Sequence, residues 1–390
     1  MLRAVKVRLL PTKEQEVLFW KSAGTARWAY NYFLSENQRI YQETGKGVSE
    51  GEVRKYINNV LKKTTHVWLK EIGSNVMKQA VKDANIALQK YIRGKSGKPK
   101  FKSRRRSKVS FYVNYESLSR AQNGFHGEKL GFVKTATALP KIPKGKKYSN
   151  PRITFDGKHW FLSVGYEVEP EHVELTDEVF GIDLGIKELA IVSNQNATIT
   201  RFYENINKTA RVRQLEKRLR RAQRRASRKI EANIKNRDKS KRPVWLRPLR
   251  ECKNIERQNN LIRLIDKRIA DIRSNHVHQI TAQIVKTKPS RIVMEDLNVR
   301  GMLKNRHLAK AVAGQKFYEF RRQIAYKSEM YGIEFVTADR FYPSSKICSH
   351  CGSVKSDLKL SDRTYICAEC GTELDRDLNA AINLANYKSA

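Results

Sequence analysis

The chain has 390 residues and a formal net charge of +39, from 78 Lys and Arg against 39 Asp and Glu. Hydrophobic residues make up 40% of the sequence, which is enough for the cores of two or three domains. A charge this large repels itself unless a polyanion neutralises it, so nucleic acid is the expected partner. A basic surface that serves only solubility is the alternative. No apolar run approaches a membrane span, which excludes a membrane-embedded chain.

The first ten residues alternate in polarity, which predicts a β-strand rather than a signal peptide. Val5, Val7 and Leu9 fall on one side, and Lys6 and Arg8 on the other. Five cysteines in a long chain without a signal peptide favour a reducing compartment. We therefore expect a cytoplasmic protein of a bacterium or archaeon, associated with the nucleoid.

A helical block follows, up to about residue 91. Thr12 and Gln15 form a capping box, which predicts a helix start directly after Pro11. Apolar positions of this helix are Val17, Phe19, Trp20, Trp28, Tyr32 and Leu34. A later helix should bury one face, made of Val76, Met77, Ala80, Val81, Ala84, Leu88 and Tyr91.

A basic, glycine-containing stretch covers residues 93–108. Gly94 and Gly97 indicate a loop, in which Arg104, Arg105 and Arg106 are candidate phosphate contacts. A solvated linker explains the same composition equally well.

Alternating residues between about 110 and 168 predict a small antiparallel sheet or barrel. Asn123-Gly124 and Asp156-Gly157 are hairpin turn signals, and residues 160–168 alternate over nine positions. The isolated N-terminal strand is expected to join this sheet, so that the helical block is an insertion.

A third region begins near Thr176 with two apolar strands joined by a turn that contains Gly185. The basic helix that follows, about residues 211–229, has few apolar residues to bury, so it is expected to lie along a phosphate backbone. Arg218, Arg221 and Arg225 are its candidate contacts, and a solvated face is the alternative.

The rest of this region alternates helices and strands, which indicates an α/β domain. We predict a helix at 255–286, a short buried strand at 291–295, a helix at 308–331 and a strand at 333–337. The long helix draws its apolar stripe from Leu261, Ile265, Ile269, Ile272, His276, Ile280 and Ile284. His276 is interpreted as a packed or hydrogen-bonded histidine rather than as a ligand.

Two CxxC pairs predict a structural zinc site. Cys348 and Cys351 form one pair, Cys367 and Cys370 the other, with fifteen residues between the pairs. Four thiolates complete a tetrahedron and leave no open position for catalysis. Two disulfides are the alternative, which a reducing compartment disfavours. His350 is surplus to the set, and Cys252 is left as a lone thiol.

Three acidic residues are candidate metal ligands because they fall at rigid positions. Asp183 and Glu295 come at the ends of apolar strands, and Asp377 starts a helix. Carboxylates that converge on two Mg²⁺ ions suit phosphodiester cleavage. Each residue alone has a simpler explanation, since Asp183 could be a turn residue and Asp375 or Asp377 a helix cap.

Four ordered motifs resemble those of the TnpB (OrfB) family of transposon-encoded proteins, related to type V CRISPR nucleases. They are Gly-Ile-Asp183-Leu-Gly, Met-Glu295-Asp-Leu-Asn, the cysteine segment from Ser344 to Cys370, and Asp375-Arg-Asp377-Leu-Asn379-Ala-Ala. The N-terminal segments 8–15 and 24–31 fit as well, so the resemblance spans nearly the whole chain.

The resemblance implies an RNA-guided, Mg²⁺-dependent DNA endonuclease with a guide RNA from the transposon end and a short motif beside its double-stranded target. It assigns Asp183, Glu295 and Asp377, rather than Asp375, to the acids of an RNase H-like (RuvC) nuclease domain at 176–390, with a zinc ribbon at 345–373. It further implies a wedge β-barrel from 1–10 and 105–175, and a helical recognition insertion at 11–104. The expected assembly is a monomer with one RNA.

In such an assembly the protein contacts mainly the nucleic-acid backbone, and base pairing with the guide RNA selects the target sequence. The helix with Asn75, Lys78, Gln79 and Lys82 is our candidate reader of the flanking motif. Three other functions remain open: a catalytically inactive RNA-guided repressor, a transposase acting directly on transposon ends, and a zinc-ribbon RNA-binding protein.

Overall fold

A computed structural model describes residues 1–104, 107–171, 173–238, 240–249, 251–359 and 361–388. The chain has a mixed α/β fold that divides into two compact units, Met1–Val168 and Glu169–Ala390. Two candidate phosphate contacts, Arg105 and Arg106, lie outside the described residues. Within the described part of the chain, no helix has both the length and the apolar character needed to cross a membrane.

The first unit combines three helices with two antiparallel sheets, of strand order β1-β7-β6-β2 and β3-β4-β5. Its elements are β1 (Leu2–Arg8), α1 (Lys13–Thr44), α2 (Glu50–Tyr56), α3 (Ser74–Ile92), β2 (Ser110–Tyr112), β3 (Ser119–Ala121), β4 (Gly124–Gly127), β5 (Gly131–Lys134), β6 (Ser149–Phe155) and β7 (Trp160–Glu167). A short π-helical segment, Ile57–Leu61, and a 3₁₀ segment, Val67–Glu71, lie between α2 and α3.

The predicted helix start at Thr12 and the pairing of the N-terminal strand are confirmed in this unit. The Thr12 hydroxyl accepts from the Gln15 amide N–H, and the Gln15 side chain accepts in return from Thr12. β1 pairs with β7 along its whole length, from Leu2 opposite Glu167 to Arg8 opposite Phe161. The N-terminal strand therefore belongs to the sheet, and the helices are inserted after it.

Three residues predicted for the helical cores are exposed instead. Val17, Trp20 and Tyr91 keep 54%, 43% and 42% of their surface in solvent. The Trp20 ring nevertheless makes T-shaped contacts with Phe155 and with Trp160, each with 5.0 Å between ring centroids. Helical spacing shows which residues share a face but does not show how far neighbouring elements cover that face.

One hairpin turn was predicted one residue too late. Ala121 is paired with Gly124, so the turn is made by Gln122 and Asn123, and Gly124 is already in β4. A side chain at Gly124 would collide with the Val133 carbonyl, which explains the glycine without a turn. The turn at Asp156-Gly157 is confirmed, since Gly157 has a φ of 101°.

The end of β1 connects the two sheets of this unit. The Leu9 amide donates to the Trp160 carbonyl, and the Leu10 amide to the Lys134 carbonyl, both at 2.8 Å. Each sheet therefore bonds to the segment that follows β1. Closure into a barrel stays a prediction.

The second unit is built on a five-stranded mixed sheet of order β10-β9-β8-β13-β14. Its elements are β8 (Thr176–Leu184), β9 (Glu188–Asn194), β10 (Thr200–Glu204), α4 (Ala210–Glu231), β11 (Ile234–Arg237), β12 (Pro243–Trp245), α5 (Lys253–Lys286), β13 (Pro289–Met294), α6 (Val299–Met302), α7 (Ala309–Gln315), α8 (Phe317–Tyr331), β14 (Glu334–Thr337), β15 (Thr364–Ile366), β16 (Glu373–Asp375) and α9 (Arg376–Ala385). β8, β9 and β10 are antiparallel, whereas β13 is parallel to β8 and β14 to β13.

The helix predicted at 308–331 is two helices, because Lys316 has a left-handed backbone with φ 58°. Directly before this break, the buried Gln315 side chain donates to the Gly185 carbonyl at 3.0 Å and the Ile186 carbonyl at 3.3 Å. The break therefore accompanies a bond to the loop after β8. Strand β10 and the hairpin β11-β12 were not predicted, since both are polar and lack a clear period of two.

The basic helix α4 does have a packing partner. Its few apolar side chains pack on α5, with Val212 and Ala222 buried against Ile265 and Ile269. The Leu261 side chain, predicted on the buried stripe of α5, is 38% exposed. His276 is confirmed as a hydrogen-bonded histidine, with Nε2 2.9 Å from the Glu204 carbonyl oxygen.

Candidate metal centres and nucleic-acid surfaces

Asp183 and Glu295 are placed by the two central parallel strands of the second unit. Ile182 of β8 is paired with Met294 of β13, so the next residue of each strand is Asp183 and Glu295. The carboxyl ends of parallel strands meet at one edge of a sheet, which is where open α/β sheets carry their sites. The two acids therefore lie side by side at this edge.

Helix α9 brings Asp377 to the same place because Gly181 lets it approach. A side chain at Gly181 would collide with the backbone of Ala381 and Ala385, so the helix packs directly on β8. Residues i and i+2 of a strand share a face. Asp183 therefore faces α9 as Gly181 does, and Asp377 is in the first turn of that helix.

Asp377 and Glu295 lie close enough to Asp183 for their charges to affect its ionisation. Burial, together with the charges of Asp377 and Glu295, raises the pKa of Asp183 to about 8. Burial also raises the pKa of Glu295, as does the neighbouring Asp296. A buried carboxyl group with other acids beside it is a candidate cation ligand, because a bound cation offsets both the burial and the repulsion of the charged form.

Asp375 and Asp377 have different roles in the start of α9. The Asp375 carboxylate caps the helix, accepting from the amide N–H of Asp377 at 2.9 Å and of Leu378 at 3.2 Å. Its other oxygen is 3.7 Å from Lys187 Nζ. The Asp377 carboxylate instead accepts from the Arg376 guanidinium at 2.9 Å, with both side chains mostly buried. The sequence did not distinguish which of these two residues caps the helix, and the hydrogen bonds show that it is Asp375.

Two arginines that pair with Asp296 could not be predicted from the sequence. The Asp296 carboxylate accepts from Arg321 at 2.6 Å and also from Arg340, and these bonds hold its pKa below the ordinary range. Asp296 directly follows Glu295, so two guanidinium groups are bonded to the segment that carries Glu295. The signal in the sequence was the Glu-Asp pair at a strand end, which does not reveal its distant partners.

The four predicted cysteines form one compact group. Their sulfur atoms all lie within 4.8 Å of one another, and Cys348–Cys370 and Cys351–Cys367 are each 3.6 Å apart. Zn–S bonds of about 2.3 Å in a tetrahedron require sulfur–sulfur distances of roughly 3.8 Å, so the group fits zinc. Gly352 and Gly371 have φ of 78° and 71°, as the sharp turn after each CxxC pair requires.

Other predicted metal ligands are less closely grouped. Among the residues that the structure describes, only the four cysteines bring three or more potential ligand atoms within 4.8 Å of one another. The carboxylate oxygens of the three acids are therefore more widely spaced than the cysteine sulfurs. His350 is not part of the cysteine group. Cys252 has a free thiol elsewhere in the unit, which agrees with the prediction.

A cleft in the first unit combines two segments that the sequence singled out separately. It has a volume of about 360 Å³ and is lined by Gln79 of α3 and by Arg104 of the basic stretch. The Gln79 amide donates to Asp83 Oδ1 at 2.9 Å, and Arg152 holds the same carboxylate with two bonds of 2.7 and 2.9 Å. The Gln79 side chain is thus oriented within the cleft.

The basic stretch is anchored just before Arg104. Asn31 accepts from the Lys102 amide at 2.7 Å and donates to its carbonyl at 2.8 Å, and the Lys102 ammonium lies 3.7 Å from the centre of the Tyr30 ring. A freely solvated linker would not be held in this way. This part of the stretch is therefore a positioned loop.

The remaining candidate contacts are exposed on two helices. Lys78 and Lys82 project from α3, and Arg218, Arg221 and Arg225 from α4. The three arginines follow an i, i+3, i+7 spacing and share one face of the helix. Their placement permits contact with the phosphate backbone of a nucleic acid, and this contact stays a prediction.

Comparison with known sequences agrees with these motifs. A family model described as a probable transposase matches residues 163–306, and one described as the Cas12f1-like TNB domain matches residues 317–384. A helix-turn-helix domain model matches residues 1–46. Together they cover both ends of the chain and most of the second unit.

Relatives extend over nearly the full length. A protein of Streptomyces pristinaespiralis, named provisionally as an RNA-guided DNA endonuclease, is 30% identical over 98% of this chain and 88% of its own. InsQ of Escherichia coli, named in the same provisional way, is 25% identical over 98% of this chain and 91% of its own. The endodeoxyribonuclease Cas12f1 of Sulfoacidibacillus thermotolerans is 26% identical over 64% of this chain and 56% of its own. The chain belongs to the TnpB family, which is related to the type V nucleases.

Proposed function

We propose that this protein is an RNA-guided DNA endonuclease that binds a guide RNA and cleaves double-stranded target DNA. Family membership supports the reaction class. The observation that carries the proposal is the coupled group of Asp183, Glu295 and Asp377, an acidic cluster in a chain with a net charge of +39. Acids are unfavourable in a surface meant for nucleic acid unless a metal ion joins them to phosphate.

The second unit is proposed to be an RNase H-like (RuvC) nuclease domain. Three antiparallel strands followed by two parallel ones support this assignment, as do acids at the ends of both central strands. The domain boundaries follow the resemblance, with the nuclease at 176–390. The wedge domain at 1–10 and 105–175 and the helical recognition insertion at 11–104 complete the proposed organisation.

The carboxylates are proposed to hold Mg²⁺. Hard oxygen ligands in a partly buried, mutually repelling set are the donors that this ion takes. When bound, Mg²⁺ would activate water and stabilise charge on the phosphate oxygens. The chain's own contribution is to fix Asp183 and Glu295 on strand ends and Asp377 on a capped helix. Asp296 keeps Arg321 and Arg340 beside them, where they can neutralise phosphate charge.

The cysteine group is proposed to hold a structural zinc ion. Its four sulfur ligands leave no position for water, so the zinc would not take part in cleavage. This leaves the acids as the reaction centre of the domain.

The cleft in the first unit is proposed to read the target-adjacent motif. Gln79 is held by Asp83, which Arg152 holds in turn, and such an oriented amide can present a fixed pattern of hydrogen-bonding groups to a base edge. Arg104 would contact the backbone beside it. We further propose a monomer with one guide RNA, located in the cytoplasm.

The function is tested by expressing the protein beside its native locus and sequencing the RNA that copurifies with it. The guide segment is then replaced, and cleavage is measured on plasmids that carry a matching target and randomised flanks. We expect one RNA species from the transposon end and Mg²⁺-dependent cuts beside a short common motif. RNA-directed binding without cutting would instead establish a repressor, and strand transfer of transposon ends a transposase.

The role of Gln79 has its own control in the same assay. Gln79→Ala should change the preferred flanking bases, whereas Gln89→Ala, an exposed glutamine on the same helix, should not. An unchanged preference in the Gln79 variant would refute the assignment of the cleft.

A further inference from the structure

We infer that the zinc ribbon positions Asp377, and that Asn379 and Asn383 transmit this effect. The inference rests on the proposed function, which assigns Asp377 to the Mg²⁺ site. It adds a role for two residues that do not touch the reacting groups and are therefore positioning residues.

Both asparagines are buried in a helix that otherwise packs apolar side chains. Asn379 is fully buried and Asn383 is 4% exposed, beside Ala380, Ala381 and Leu384. Burial of an amide is costly unless its hydrogen bonds are made. Apolar residues would fill these positions more cheaply, so the amides point to a specific task.

Among the described residues, the side chains of these two asparagines bond to the first cysteine pair and the segment before it. Asn379 donates to the Ile347 carbonyl at 2.7 Å and accepts from the Ser349 amide at 2.9 Å, so it brackets Cys348. Asn383 donates to the same Ile347 carbonyl at 2.6 Å and to the Ser344 carbonyl at 2.7 Å. The first cysteine pair is thus bonded to α9 on both sides of Cys348.

The second cysteine pair reaches α9 through the chain itself. Asp377 comes seven positions after Cys370, and the strand β16 between them is paired with β15. Asp375 at the end of β16 caps the helix. Asp377 is therefore linked to both cysteine pairs. The chain through β16 links it to Cys367 and Cys370, and the hydrogen bonds of Asn379 link its helix to the pair of Cys348 and Cys351.

The two links restrain the first turn of α9, which carries Asp377. The first amide groups of a helix lack partners within it, so the position of this turn depends on bonds from outside the helix, such as those from Asp375. A displacement of about 1 Å of a catalytic group can reduce turnover roughly 100-fold. A zinc ion held by the four thiolates would join the two cysteine pairs, so that both links would restrain Asp377 together.

The test compares Asn379→Ala, Asn383→Ala and Asn386→Ala in the complete guide-RNA complex. Asn379 and Asn383 are similarly buried and share a carbonyl partner, but Asn379 is one turn closer to Asp377. Asn386 is exposed at the end of the same helix and serves as the control. We measure zinc content, target DNA affinity, Mn²⁺ affinity by electron paramagnetic resonance, and cleavage rate against Mg²⁺ concentration.

Asn379→Ala is expected to keep one zinc ion and target affinity within about threefold, but to lower Mn²⁺ affinity and slow cleavage roughly 10- to 100-fold. Asn383→Ala should have a smaller effect and Asn386→Ala none, and high Mg²⁺ should partly restore the Asn379 variant. Equal losses for Asn379 and Asn383 with no response to Mg²⁺ would overturn the inference, because loss of folding alone gives that pattern. So would normal cleavage by Asn379→Ala.

Asp183→Ala is measured in parallel to separate this inference from the proposed function. If Asp183→Ala is inactive and Asn379→Ala is normal, only the positioning role is wrong. If Asp183→Ala cleaves normally, the proposed carboxylate site itself is wrong.

Discussion

Replacement of Asp183 by asparagine should stabilise the magnesium-free protein while it removes activity. Burial and the charges of Asp377 and Glu295 raise the pKa of Asp183 from an ordinary 3.8 to about 8. The folded protein therefore binds this proton more tightly than the unfolded chain does. The stabilisation that comes from this tighter proton binding is complete below pH 4 and is lost as the pH rises to about 8.

The expected size follows from this pKa difference. At pH 7.5 the cost to the folded state is at most about 5 kcal/mol, because each pKa unit corresponds to about 1.4 kcal/mol. Asp183 is not fully shielded from solvent, so we take about 2 kcal/mol as the realistic value. For a unit of this size that corresponds to a rise in Tm of roughly 4–8 °C.

Calorimetry of the full chain in magnesium-free buffer that retains zinc measures this effect. Asp177→Asn is the matched control, since Asp177 is an exposed aspartate on the same strand. The Asp183 variant should melt higher than the wild type at pH 7.5 and differ little at pH 4. Added Mg²⁺ should stabilise the wild type alone. An unchanged or lower Tm at pH 7.5 would refute the view that burial and the neighbouring acids raise the pKa of Asp183.

Three further predictions concern the charged surfaces and the ribbon. Changing Arg218, Arg221 and Arg225 together to alanine should lower the salt dependence of RNA binding by about 2–3 in log–log slope, and an unchanged slope would mean that α4 faces solvent. Cys351→Ser should reduce zinc affinity at least roughly tenfold, as measured by competition with a chelator, and full retention would contradict a four-thiolate site. Asp296→Asn should release Arg321 and Arg340 and slow cleavage roughly tenfold at unchanged target affinity, whereas Asp271→Asn, which loses an exposed pair with Lys267, should cleave normally.

Local patterns in the sequence predicted most of the elements of both units. The capping box at Thr12, the pairing of the N-terminal strand and the four-cysteine group all depend on spacing that is visible along the chain. The break at Lys316 could not be predicted in this way. It accompanies a bond from Gln315 to a loop about 130 residues away in sequence.

The candidate metal-binding acids were also predictable only in part, because their positions along the chain are local features and their proximity is not. Strand ends could be predicted for Asp183 and Glu295, but their adjacency depends on the parallel register of β8 and β13. Asp375 and Asp377 were equivalent as caps until the hydrogen bonds of α9 distinguished them. Gly181 gave no signal of its own, although it is the residue that lets α9 reach the sheet.

The most direct test of the central claim is cleavage of a matched target by the guide-RNA complex, with wild-type protein and with Asp183→Ala. We predict Mg²⁺-dependent cutting that moves with the guide sequence in the wild type. The variant should bind the same target with unchanged affinity and leave it uncut. Cutting by Asp183→Ala at the wild-type rate would contradict the account.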